Sequence, residues 1–182
     1  LEGLIGQDPI LAYRMLVHVN SAMNGLRSGI DSLRRALMMM GFTALKAWCV
    51  QQVPNANTDR NLNPVRRDMV LRAHLTEYLL DAGGESDLRR EIYISGLFSQ
   101  LDILLNEPLE QILGRLPLSD RILESVCQGT GDYAPYLRLA RTLQSMDASP
   151  VIDMCAEYDM NLDDVNRALL RALGTTMFRS SK

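Results

Sequence analysis

Histidine is almost missing from this 182-residue chain: there are two, His18 and His74, and neither is followed by aspartate. A metal centre built on several imidazoles, holding an ion that activates a bound water, finds too few of them here. Cysteine is also scarce. Cys49, Cys127 and Cys155 are odd in number, far apart and without ligand spacing, so reduced, buried thiols of a cytoplasmic protein are expected rather than disulfides or a metal site. Aromatic residues make up 5% and β-branched runs are rare, which removes the usual material of strands. No apolar run reaches the roughly 18 residues a membrane span requires. The nearest, 36–50, is interrupted by Gly41, Thr43 and Lys46. No charged start leads into an apolar secretory core. A formal charge of −3, with bases and acids interleaved, argues against a protein that grips nucleic acid by neutralising phosphates.

What is present favours helix throughout. Leu, Ala, Met, Arg and Glu are plentiful, with 47% hydrophobic and 23% charged residues, the balance of a globular protein able to bury a core. Residues 1–7 read as the tail of a short helix, followed by Asp8-Pro9, an N-cap with proline at the first helical position. DPILAYRMLVHVNSA (8–22) carries an apolar face through Ile10, Leu11, Tyr13, Leu16 and Val17, and Asn20-Ser21 and Gly25 end or bend it. In IDSLRRALMMMGFTALKAWCV (30–50), Asp31 or Ser32 caps a helix with Leu33, Ala36, Leu37 and Met40 inward. Gly41 stops it, and Phe42, Leu45, Trp48 and Cys49 recur at helical spacing on a third helix as core residues.

The Asn- and Pro-rich stretch 54–64 is the clearest loop and a seam between subdomains. Beyond it, helices are expected over 65–82, from Ser86 or Asp87 to about Leu105, after Pro108, from a cap at Ser119, from Asp132 to about Ser145, from Ser149-Pro150 to Tyr158, and from Asn161 to about Met177. Gly83-Gly84 and Gly129-Thr130-Gly131 read as helix-ending turns, since neither has the Lys and spacing of a phosphate loop. The architecture implied is an all-α multi-helix bundle, with an N-terminal helical subdomain over 1–53 and a helical core over 65–182.

Few residues suggest chemistry. His18 and His74 each sit among apolar neighbours and read as core or half-buried imidazoles with one hydrogen bond. No Ser or Cys stands in a nucleophile elbow. Glu107, Glu110 and Asp163-Asp164 fall at helix N-termini, where the macrodipole favours acids. Arg34-Arg35, Arg66-Arg67 and Arg89-Arg90 are basic pairs read as solvated helix faces, with an anionic ligand as the sharper alternative. The helix-Gly-helix cadence of 33–50 is not that of a DNA reader, because its second helix offers Lys46 as its lone cation. Met38, Met39 and Met40 cannot all point inward, so at least one should be exposed, and a flexible thioether suits an adaptable partner surface.

The joint spacing of Asp8-Pro9, Asn20-Ser21-Ala22, Ser32-Leu33 with Ala36, and Gly41 resembles the HDOD family, non-catalytic relatives of the HD and HD-GYP phosphohydrolases. The resemblance implies an HD-like core over 65–182 and marks Asp8, Pro9, Asn20, Ser21 and Gly41 as structural signature positions. It also implies that Ser99-Gln100, in GLFSQLD (96–102), occupies the place of the catalytic relatives' His-Asp pair, leaving Asp102 without a His partner. The stretch 96–122 resembles the C-terminal half of bacterial signalling proteins in which an EAL domain, a cyclic di-GMP phosphodiesterase or a degenerate version of one, precedes the HDOD region.

The chain opens at Leu1, without Met and inside a helical pattern, as expected of a piece cut from a longer protein. The resemblance therefore implies a non-catalytic interaction module of bacterial signal transduction, with no catalytic residue, metal or cofactor. It would engage a protein partner or its own upstream domain, with no nucleic acid and no membrane. Met38, Met39, Arg34 and Arg35 are its candidate interaction surface. A nucleotide sensor or a residual metal-dependent phosphohydrolase is the alternative.

Overall fold

The computed structural model describes residues 2–22, 30–52, 59–80, 85–147 and 149–179. Those residues are helical with no strand among them, so the fold is all-α. Gly25, Gly83-Gly84 and residues 54–58 of the Asn-rich loop lie outside the described residues. No described helix is long and apolar enough to cross a membrane.

The chain forms two compact units. The first comprises residues 1–67 and 100–119, and the second residues 68–99 and 120–182. The division therefore does not follow the loop 54–64, where the sequence placed a seam. Segment 100–119 belongs with the N-terminal part, and the boundary after Arg67 falls inside a helix.

The first unit is built on α1 (Glu2–Ile5), α2 (Pro9–Ala22) and α3 (Leu33–Gln52), completed by α6 (Leu101–Leu105) and α7 (Leu109–Leu113). Asp8 caps α2 as its sequence suggests, its Oδ1 accepting from the N–H groups of Ile10 and Leu11 at 3.0 and 3.1 Å. Ile10, Ala12, Tyr13, Met15, Leu16 and Val19 are the buried face of that helix. Asn20 then ties the end of α2 to Ile30: its Nδ2 donates to the carbonyls of Leu16 and Ile30, and its Oδ1 accepts from the Ile30 N–H, all at 2.8 Å. Ser21 is exposed. Ser32 caps α3 through Oγ, which accepts from the Arg35 N–H at 3.3 Å.

Helix α3 is two helical runs joined at Gly41, whose φ of 67° and ψ of 169° are outside helical space and open only to glycine at little cost. In the second run only Leu45 and Trp48 reach the core. Phe42 and Cys49, expected inside, are exposed. They lie about 70–90° from the centre of the stripe that Leu45 and Trp48 define, at about 100° per residue, and so flank it.

The second unit contains the greater part of α4 (Asn63–Leu80), together with α5 (Ser86–Phe98), α8 (Asp120–Leu123), a π-helical turn Glu124–Gln128, α9 (Ala134–Leu143), α10 (Val151–Glu157) and α11 (Leu162–Arg179). Here α4 and α5 touch backbone to backbone at Gly96, where a Cβ would come within 2.6 Å of the Ala73 Cα. Thr76 supports the crossing by placing its hydroxyl 3.0 Å from the Ile92 carbonyl of α5. Leu139, Val151, Cys155 and Val165 form one buried cluster of this unit, and Leu75, Ala140 and Ala172 another. The helix expected over 86–105 is interrupted: α5 ends at Phe98, and α6 begins at Leu101. Ser119 does not cap α8, since its buried Oγ has no hydrogen-bond partner. At the far end Asn161 caps α11, its Oδ1 accepting from the Asp163 N–H at 2.8 Å.

Candidate functional site

Ser99 is the residue to build from, because it and Gln100 stand where the resemblance puts a catalytic His-Asp pair. It closes α5 as its C-cap and is buried. Facing it is Arg72 from α4, also buried, brought within reach by the tight crossing at Gly96. The guanidinium donates from Nη1 to Ser99 Oγ and from Nε to Gln144 Oε1, each at 2.8 Å. An arginine can only donate. Ser99 therefore accepts from it and sends its own proton to the Gly96 carbonyl, 2.8 Å away. Gln144, just beyond α9, is oriented in turn by its Nε2, which donates to the Asp68 carbonyl at 2.7 Å.

No carboxylate lies within ion-pair distance of the Arg72 guanidinium among the described residues. Burial, and then the nearby Arg141 charge, lower its pKa from 12.5 to about 10, with Asp68 acting in the opposite direction. At neutral pH it remains a cation held by neutral oxygens. A divalent ion needs anionic or imidazole donors, and this set, one hydroxyl already committed to a carbonyl beside a fixed positive charge, does not fit one. Gln100 belongs to the other compact unit and is half-buried at the start of α6. Among the described residues, no three His, Cys, Asp or Glu side chains gather into a metal-holding group.

The remaining sequence-named residues are dispersed. Met38 and Met39 are 66% and 52% exposed, and Met40 is half-buried. Arg34 and Arg35 are exposed beside them in sequence, with Arg35 reaching Asp31 at 3.5 Å. Phe42 adds a 76% exposed ring just past Gly41. His18 is exposed rather than half-buried, because it lies off the buried face of α2, and its ring centroid is 6.2 Å from that of Trp48. His74 is buried between the rings of Tyr78 and Tyr93, its Nδ1 without a hydrogen bond and 3.4 Å from a Glu77 carboxylate oxygen. Of the cysteines, Cys155 is buried, Cys127 half-buried and Cys49 exposed. Arg90 pairs with Asp87 at 2.7 Å.

Arg72 was missed by sequence reading. Within α4 an arginine looks like part of the solvated face, and its partners lie 27 and 72 residues away. A cavity is the other feature that the sequence does not disclose. Tyr78, Tyr136 and Tyr158 line one cavity of about 370 Å³ in the second unit, together with Arg167 and Arg171 of α11.

The sequence profile of the HDOD domain matches residues 1–107. This chain belongs to the HDOD family. The HDOD chain is also 26% identical, over 94% of its length, to a Vibrio cholerae protein named cyclic di-GMP phosphodiesterase CdgJ. It is 28% identical, over 87% of its length, to YuxH of Bacillus subtilis. It spans only about two fifths of each, 40% and 38% respectively. Among solved structures, the MmoQ response regulator of Methylococcus capsulatus shares the fold, with a TM-score of 0.71 over 93% of this chain and 87% of that one, at 16% identity. These likenesses extend the match beyond residue 107, through the helices of the second unit.

Proposed function

We propose that this HDOD chain is a non-catalytic regulatory module of a bacterial signalling protein, acting by contact with a protein partner or with an upstream EAL domain, within cyclic di-GMP signalling. The observation that carries the reading is the Arg72–Ser99 pair. A positive side chain, fixed by neutral acceptors, occupies the neighbourhood in which hydrolytic relatives would need a ligand set for a cation. That contact supports regulation rather than turnover as the use of this fold. The name of the Vibrio cholerae relative supplies the pathway, and its greater length leaves room for a separate catalytic domain.

The contact surface we assign is the exposed part of α3 around Met38, Met39 and Phe42, bordered by Arg34 and Arg35. Flexible thioethers adapt to a partner's shape, and an exposed aromatic provides an anchor of the kind that dominates binding energy. Moving a partner decisively between two states requires a differential affinity of roughly 3–5 kcal/mol, within reach of a few such anchors.

The test is made in the full-length protein, with cyclic di-GMP hydrolysis as the output. Met38→Asp together with Phe42→Asp should change that output several-fold, while the fluorescence of buried Trp48 shows the unit still folded. Unchanged output from a folded double variant would refute the assigned surface.

A further inference from the structure

We propose that the tyrosine-lined cavity of the second unit binds a nucleoside monophosphate, with Arg171 holding its phosphate. Three of the chain's six tyrosines surround this one space of about 370 Å³: Tyr78 from α4, Tyr136 from α9 and Tyr158 at the end of α10. All three are half-buried. In a chain so poor in aromatics that is a concentration, and the volume falls within the range of roughly 300–1,000 Å³ typical of small-molecule sites. Leu79, Met160, Val165 and Ala168 add apolar lining.

The cation is placed but not spent. The Arg171 guanidinium lies over the Tyr78 ring, 4.4 Å from its centroid, and no carboxylate is within ion-pair distance of it among the described residues. The ring beneath is itself anchored, by a 3.1 Å hydrogen bond between the Tyr78 hydroxyl and Thr175 Oγ1 and by the stacked His74 on α4. A planar guanidinium pre-positioned on an aromatic face keeps its N–H edge for an oxyanion, and such forks suit phosphate. Arg167, by contrast, is paired with Asp164.

The acids decide the ligand's charge. Asp159 and Asp164 also line the cavity, so a polyanion such as a nucleoside triphosphate is disfavoured. One phosphate on Arg171 is compatible, and the carboxylates can accept from ribose hydroxyls or the amino groups of a base. The rings of Tyr136 and Tyr158 offer faces for a planar base, the sequence-tolerant stacking that aromatic side chains give nucleotides. The basic pairs singled out in the sequence play no part, as none of them lines this cavity.

Calorimetric titration of the whole chain with GMP and with AMP tests this, with guanosine and inorganic phosphate as separate arms. Saturable binding of at least one nucleotide is expected, with nucleoside alone and phosphate alone each about tenfold weaker or worse. Arg171→Gln, a change at an exposed position, should weaken nucleotide binding about tenfold or more, the loss of a charge-assisted contact. Tyr158→Leu should weaken nucleotide but leave the phosphate arm unchanged. Absence of saturable binding at millimolar nucleotide, or equal binding by Arg171→Gln, overturns the proposal, as does phosphate binding as tightly as the nucleotide. Recovery of intact nucleotide after binding keeps both this site and the non-catalytic reading. Hydrolysis of bound nucleotide would sink the latter and leave the site standing.

Discussion

Arg72 Nη1 donates to Ser99 Oγ across 2.8 Å, with both residues buried. Two consequences follow from that contact: a cation is built into the second unit, and the hydroxyl at position 99 is committed, accepting from Arg72 and donating to the Gly96 carbonyl. Removing either partner strands the other, at about 1–3 kcal/mol for each buried group left unsatisfied. Arg72→Met and Ser99→Ala should therefore each destabilise the chain by about that amount. A double-mutant cycle followed by urea denaturation should give a coupling energy of roughly 0.5–3 kcal/mol. Single effects that simply add would mean the pair does not act as a unit.

Much of the helical plan is legible in the sequence because its signals are local. Asp8-Pro9, Ser32 and Asn161 each cap the helix that follows within three residues, and Gly41 bends α3 at the position its neighbours mark. Burial was harder to read. Phe42 and Cys49 share helical spacing with Leu45 and Trp48, but the buried stripe is only two residues wide there. Arg72 could not be seen at all, because its burial depends on Gln144 far along the chain and on a glycine that lets α5 approach α4. Gly96 is the one local hint, a small residue three positions before Ser99. The tyrosine cavity was hidden for the same reason: Tyr78, Tyr136 and Tyr158 come from separate helical segments, and each reads singly as helix face.

Asn20 offers a sharper test of the first unit. Its amide nitrogen faces two carbonyls, those of Leu16 and Ile30, while its oxygen takes the Ile30 N–H. Asn20→Ala should cost about 1–3 kcal/mol through unsatisfied backbone groups. Asn20→Asp should cost more, because an acceptor-only carboxylate then opposes two carbonyl lone pairs. Thermal denaturation monitored at Trp48, the lone tryptophan and 3% exposed, reports the order. An aspartate variant as stable as the wild type would refute the assigned orientation of the amide.

Alkaline pH should weaken the second unit. Burial raises the Cys155 thiol above its ordinary 9.0. Burial, and then its 2.8 Å hydrogen bond to Glu91 Oε2, raise Tyr133 well above 10.0. Both are acids whose folded form retains the proton after the unfolded chain has lost it. The unfolded state then binds fewer protons, and stability falls as pH rises. The decline should begin near pH 9 with Cys155; past pH 10 Tyr133 extends it, while buried Arg72, whose pKa is lowered to about 10, loses its proton more readily in the folded state and acts in the opposite direction. Tyr133→Phe should make the midpoint fall less with pH past 10 than it does in the wild type, as measured by urea midpoints across pH 8–11. A Tyr133→Phe variant whose midpoints follow the same pH dependence as the wild type's would contradict the assignment.

The most direct test of the non-catalytic reading is metal content and phosphodiester hydrolysis measured on one preparation of this 182-residue chain by itself, purified without chelator. Elemental analysis should find no iron, manganese or zinc above background, and neither cyclic di-GMP nor a generic phosphodiester should be turned over. Stoichiometric metal together with turnover would contradict the account, and would mean that a cation binds despite the guanidinium of Arg72 beside Ser99.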